Sequence, residues 1–230
     1  MPVAHTIKQY VEGGYYHLYN RGVEQRQIFI DEKDYVVFMH ILKTLLTDPK
    51  LLGDEQIRPI RKSDVYNQIH LVAFCLMPNH FHLLIQQVTA HALTQFTRRL
   101  NNAYVTYFNQ RYERRGSLFE GKLKAILVEF EEYFLYLTRY IHRNPLAFWK
   151  QPLVAYPYSS YPYFLGVKKA SWLYLDDVLA YFEHPKGFRK NQYISYEGFM
   201  NDPTEDDLNR LDELTLEIEH QRPRLNRSDL

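Results

Sequence analysis

The chain has 230 residues, the length of one large domain or of a domain with an appendage. Its 28 Lys and Arg against 27 Asp and Glu leave a formal net charge of +1, which excludes a uniformly basic nucleic-acid coat and a disordered polyelectrolyte alike. The single cysteine, Cys75, excludes an internal disulfide and a cysteine-rich zinc site.

Taken in chain order, Tyr15 to Arg21 reads as a strand stopped by Gly22. Asp31 to Leu46 reads as a helix, with Asp31 as N-cap and apolar Val37, Ile41 and Leu45 at four-residue spacing. Gly53 to Asp64 is polar and reads as a loop. Gln68 to Leu76 and His80 to Gln86 are β-rich runs around a turn at Met77-Pro78-Asn79. Thr89 to Arg111 reads as a long helix whose face is marked by Leu93, Phe96, Leu100 and Tyr104, and Ala125 to Val128 as a short strand. Glu131 to Arg143 reads as a helix closed by Asn144-Pro145, because the residue before proline is disfavoured in helical conformation. The order strand, helix, hairpin, helix, strand, helix predicts an α+β ferredoxin-like sandwich with an antiparallel sheet. Residues 1–165 are expected to form that domain and residues 166–230 a C-terminal helical, acidic extension, including a helix from Thr204 to about His220.

Charge is distributed unevenly between these parts. Residues 1–165 carry a net +5 and residues 166–230 a net −4. The densest basic stretch runs from Arg98 to Lys124, where seven Arg and Lys are interleaved with Tyr104, Tyr107, Phe108, Tyr112 and Phe119. Arg and Lys pair with phosphates while aromatic rings stack on bases, so the mixture suits single-stranded nucleic acid. Taken alone, an amphipathic helix with a solvated basic face explains it as well. No apolar run reaches the roughly 18 residues of a membrane span, and Met1 to Tyr10 lacks the apolar stretch of a signal peptide. Together with the lone cysteine, this leads to the expectation of a cytoplasmic protein with no membrane partner.

Two stretches carry candidate chemistry. In His80-Phe81-His82 the alternation of a strand puts both imidazoles on one face, where they could share a divalent metal with a third donor. An isolated H-x-H pair is more often a surface or hydrogen-bonded pair than a metal site. In the helix before Pro145, Phe130, Phe134, Leu137 and Ile141 form a core stripe, and Tyr136, Tyr140 and Asn144 form a separate row at spacing four. Tyr-rich packing with Asn144 as C-cap accounts for that row without any chemistry, and spacing does not choose between Tyr136 and Tyr140 as a reactive hydroxyl.

The block Leu76-Met77-Pro78-Asn79-His80-Phe81-His82-Leu83 resembles the metal motif of the HUH single-tyrosine transposases, and in particular their REP-associated tyrosine transposase branch. Tyr16 to Gly22, Gly116 to Lys124, Arg139 to Pro145 and Tyr156 to Tyr161 resemble further blocks of that family, in order, between about Tyr15 and Gly166. One departure is Tyr158, where the family often has Trp before Ser159-Ser160. The resemblance implies an HUH endonuclease fold that cuts and rejoins single-stranded or hairpin (REP-like) DNA through a 5′-phosphotyrosine, as a transposase or a domesticated one. It implies His80, His82 and Asn144 as ligands of Mg²⁺ or Mn²⁺ and Tyr140 as nucleophile. Asn20, Arg21, Arg26, Arg98, Arg99, Arg114, Arg115, Lys122 and Lys124 are expected along the DNA path, and a monomer or homodimer is expected. The rival reading is a non-catalytic descendant that binds hairpin DNA and regulates genes.

Overall fold

The computed structural model describes residues 10–52, 65–129, 131–183 and 193–201. Strands β1 (Tyr15–Arg21), β2 (Ile69–Met77), β3 (His80–Gln87) and β4 (Lys124–Leu127) form one sheet in the order β2-β3-β1-β4. All three neighbouring pairs are antiparallel. Helices α1 (Glu32–Leu46), α2 (Ala92–Arg111) and α3 (Glu131–Arg143) complete a β-α-β-β-α-β-α order, the α+β sandwich expected from the pattern. The predicted Gly53–Asp64 loop and the helix from Thr204 lie outside the described residues.

Alternation in the strands divides the core in two. Tyr16 and Leu18 of β1, Phe74 and Leu76 of β2, and Phe81, Leu83 and Ile85 of β3 join α1 and α2 in one apolar cluster. On that side Leu93, Phe96, Leu100 and Tyr104 of α2 are fully buried, as are Ile41 and Leu45 of α1. The opposite face takes Cys75, Met77 and Leu84 against Phe134, Leu137 and Ile141 of α3. The stripe at spacing three and four in α3 is therefore what seats that helix on the sheet.

Local chemistry sets the helix ends. Asp31 caps α1 by accepting from the Asp34 backbone N–H, and Asp34 reciprocates toward the Asp31 backbone N–H. Arg111, in the last turn of α2, bridges both carboxylates at 2.5–2.8 Å and so ties the end of α2 to the start of α1. That basic residue of the Arg98–Lys124 stretch is thereby committed to structure.

The chain beyond Gly166 is woven into these cores. Trp172 and Leu173 enter the α1/α2 side, and Val178, Tyr196, Phe199 and Met200 enter the α3 side. Ser160 N–H donates to the Phe74 carbonyl and Tyr174 N–H to the Leu71 carbonyl, so both segments cover the outer edge of β2. Three short helices follow: α4 (Tyr161–Phe164), α5 (Asp176–Glu183) and α6 (Tyr196–Asn201). Among the described helices none is long and apolar enough to cross a membrane.

Candidate active site

The two histidines of the H-x-H pair emerge on the α3 side of the sheet. Antiparallel register sets Tyr19 of β1 opposite His82, and Arg21 opposite His80. His17, Tyr19 and Arg21 therefore share the face of His80 and His82, while Leu18 and Phe81 point to the other core. The His80 and His82 rings lie 5.0 Å apart, centroid to centroid.

Helix α3 brings Tyr140 over this face. Its ring stands edge-on to His82 at 5.4 Å and to His17 at 6.2 Å. Tyr136, one turn earlier, packs instead on Phe199 at 5.9 Å and under the Arg139 guanidinium. The row predicted at four-residue spacing is thus split between two surroundings, since α6 fills the space beside Tyr136. Asn144 donates from Nδ2 to the Tyr140 carbonyl at 2.8 Å, which is its capping role, and its side chain neighbours His80.

Burial controls the charge of the imidazoles. It lowers His80 to about 4, helped by the nearby Arg21 charge, and pushes His82 well below its ordinary value. His17 is fully buried and lowered to about 3 for the same reason. All three rings are neutral at neutral pH, the state in which imidazole nitrogen can ligate a cation. His80 Nδ1 is engaged by Asn79 Oδ1 at 2.7 Å and His82 Nδ1 by His17 Nε2 at 2.9 Å. Both internal bonds use Nδ1 and leave Nε2 of each ring for a ligand. Among the described residues no three His, Cys, Asp or Glu side chains gather to hold a metal ion. A third protein donor beside this pair has to come from another residue type, and an amide oxygen such as that of Asn144 is one that can ligate a divalent cation. The donor set, two neutral imidazoles and one amide oxygen, fits a divalent cation that keeps open positions.

The structure sorts the basic residues expected along the path. Arg21 lies close enough to influence both His80 and His82, and Lys124 stands over the Tyr19 ring at 5.6 Å. The loop carrying Arg114, Arg115 and Lys122 meets the same end of β1, through the Glu120 N–H to Arg21 carbonyl bond. Within it Arg114 folds onto Phe108 and Asn109, whereas Arg115 and Lys122 are exposed. Arg26 pairs with Glu24 at 3.2 Å. Three residues stand apart from the site. Asn20 alternates to the other face of β1 and is buried, accepting from the Arg21 N–H. Arg98 and Arg99 sit on α2, across the sheet from Tyr140. Sequence reasoning also passed over His17, Tyr19 and Asn79, whose importance depends on pairing between distant strands. The alternation of β1 did place His17, Tyr19 and Arg21 on one face, but nothing local said which face.

Comparison with known proteins gives a sequence family for part of this arrangement. The family model described as "Transposase IS200 like" matches residues 53–144, which include His80, His82, Tyr140 and Asn144. No curated protein matches the chain. Among solved structures, a REP-associated tyrosine transposase bound to a REP hairpin is similar at 14% identity and a TM-score of 0.49, over 74% of this chain and 89% of that one. A transposase from Deinococcus radiodurans R1, solved at 1.90 Å, is similar at 21% identity and a TM-score of 0.37, over 58% of this chain and 92% of that one. The family match runs from the polar stretch before β2 to the asparagine that closes α3, over less than half of the chain.

Proposed function

We propose that the protein cuts and rejoins single-stranded DNA beside hairpins, with Tyr140 as the nucleophile and His80, His82 and Asn144 holding Mg²⁺ or Mn²⁺. The observation that carries this reading is the seating of the Tyr140 ring edge-on against His82, on the face where both imidazoles keep Nε2 available.

In this mechanism the Tyr140 oxygen attacks the scissile phosphorus, the bond from phosphorus to the 3′ oxygen breaks, and a 5′-phosphotyrosine and a free 3′-hydroxyl result. The Tyr140 proton passes to solvent and the departing 3′ oxygen takes one up, so no net charge is created. When bound, the cation polarises the non-bridging oxygens and stabilises charge that develops on them. Arg21, beside His80, offers positive charge to the flanking phosphate, and Lys124 does so at the neighbouring strand. Tyr19 has its hydroxyl pushed up to about 12 by burial and by its neighbour Tyr140, so it stays protonated and can donate a hydrogen bond without competing as nucleophile. The phosphotyrosine conserves the energy of the broken bond, so a 3′-hydroxyl can reverse the step without a nucleotide cofactor.

Labelled hairpin oligonucleotides with single-stranded flanks, incubated with the protein and Mn²⁺, test the reading. A covalent DNA adduct that disappears in Tyr140→Phe is the expected result. Hairpin binding with no adduct would favour the non-catalytic, regulatory alternative.

A further inference from the structure

The His80 ring is oriented by a chain of contacts that begins outside the sheet. Its Nδ1 lies 2.7 Å from Asn79 Oδ1. An amide oxygen only accepts, so this bond requires the His80 proton on Nδ1 and leaves a lone pair on Nε2. The amide itself has one sensible orientation. Asn79 Nδ2 donates to the Gln25 carbonyl at 3.4 Å, and a flip would set two oxygens against each other there.

The Gln25 carbonyl reaches that position because the segment after β1 folds back over the β2–β3 turn. Gly22 N–H donates to the Asn79 carbonyl at 2.9 Å, and the Ile28 and Phe29 N–H groups both donate to the Pro78 carbonyl. Glu24 and Gln25 adopt φ of 55° and 59°, a left-handed conformation that is unfavourable for non-glycine residues. Gly22 has no room for a side chain, since a Cβ would collide with the Arg26 carbonyl. A strained loop persists where its surroundings hold it, and here those surroundings are the turn that precedes His80.

We propose that Asn79, oriented by the Gln25 carbonyl, is a positioning residue that fixes the tautomer and the ring of His80 so that Nε2 faces a divalent metal. This rests on the metal reading given above. His82 has a different partner, His17, so the two ligands are oriented independently.

The test uses the full chain, labelled with ¹⁵N-histidine, and compares Asn79→Leu with Asn79→Asp. Leu removes the acceptor at similar volume, and Asp keeps an acceptor for the Nδ1 proton. Ring-nitrogen shifts report the tautomer without metal, and Mn²⁺ titration by electron paramagnetic resonance reports affinity. The unaltered chain and Asn79→Asp should show His80 protonated on Nδ1. Asn79→Leu should show a mixture of tautomers, a Mn²⁺ dissociation constant about 10- to 100-fold higher, and an unchanged thermal midpoint. A His80 proton on Nε2 in the unaltered chain, or Mn²⁺ affinity unchanged in Asn79→Leu, overturns the proposal. If Asn79→Leu does not fold, the unaltered chain decides, because a His80 proton on Nε2 there is equally fatal. A chain that binds no Mn²⁺ at all sinks the metal reading, while its ring-nitrogen shifts still decide whether Asn79 sets the tautomer.

Discussion

His142 links the helix that carries Tyr140 to the C-terminal part of the chain, and acid should break that link. Its Nδ1 lies 2.6 Å from the Tyr196 hydroxyl and its Nε2 2.6 Å from Ser160 Oγ, and the ring is fully buried. Burial lowers it from 6.5 to about 3. Unfolding exposes the ring and returns it toward its ordinary value, so between these limits the unfolded chain binds a proton that the folded chain does not. The stability contributed by the neutral ring is whole above pH 6.5 and is lost as pH falls toward 3, at about 1.4 kcal/mol per pH unit. Over the full window this amounts to about 5 kcal/mol, a large share of the stability of a typical domain. His17, lowered to about 3 by the same cause, adds a second contribution of the same sign. Gln at position 142 can hydrogen-bond both neighbours without titrating. Urea denaturation of the two proteins at several pH values between about 7 and about 4 measures the difference. His142→Gln should be less stable near neutrality by about 1–3 kcal/mol, yet its stability should fall about 1.4 kcal/mol per pH unit less steeply. Parallel lines for the two proteins would refute the assignment of a buried neutral ring.

Three further outcomes concern the proposed chemistry. Tyr140→Phe should abolish the covalent adduct and Tyr136→Phe should lower its rate only a few fold, with mass spectrometry of the trapped adduct placing the nucleotide; a nucleotide on Tyr136 contradicts the assignment. Replacing His80 and His82 together by Ala should abolish cleavage while hairpin binding, measured by filter retention, stays within about threefold, because phosphate contacts supply most affinity. Arg21→Gln and Lys124→Gln should each flatten the salt dependence of single-strand binding by about 0.7 in logarithmic slope, and Arg98→Gln should not; equal effects at all three positions would contradict the geometry.

Much of this fold is local, and local features are legible in a sequence. The alternation of β1 and β3 and the stripe of α2 are each set within a few residues by the period of the backbone, and they appear where the pattern puts them. Asp31 as N-cap and Pro145 as a stop for α3 are likewise choices made by the two or three residues on either side. The H-x-H pair on one strand face belongs to the same class, and so does the row of Tyr136, Tyr140 and Asn144. What periodicity left open was whether that row and that face meet, and the tertiary structure decided it. Phe134, Leu137 and Ile141 bury against Cys75, Met77 and Leu84, which turns Tyr140 toward His82, while α6, more than 50 residues later, occupies the ground beside Tyr136. The same long-range pairing brought His17 to His82 and the Gln25 loop to Asn79, contacts that no window of sequence contains. It also sent Asn20 to the far face and put Arg98 and Arg99 behind the sheet, because a basic residue shows its charge in the sequence but takes its side of the molecule from the element it rides on.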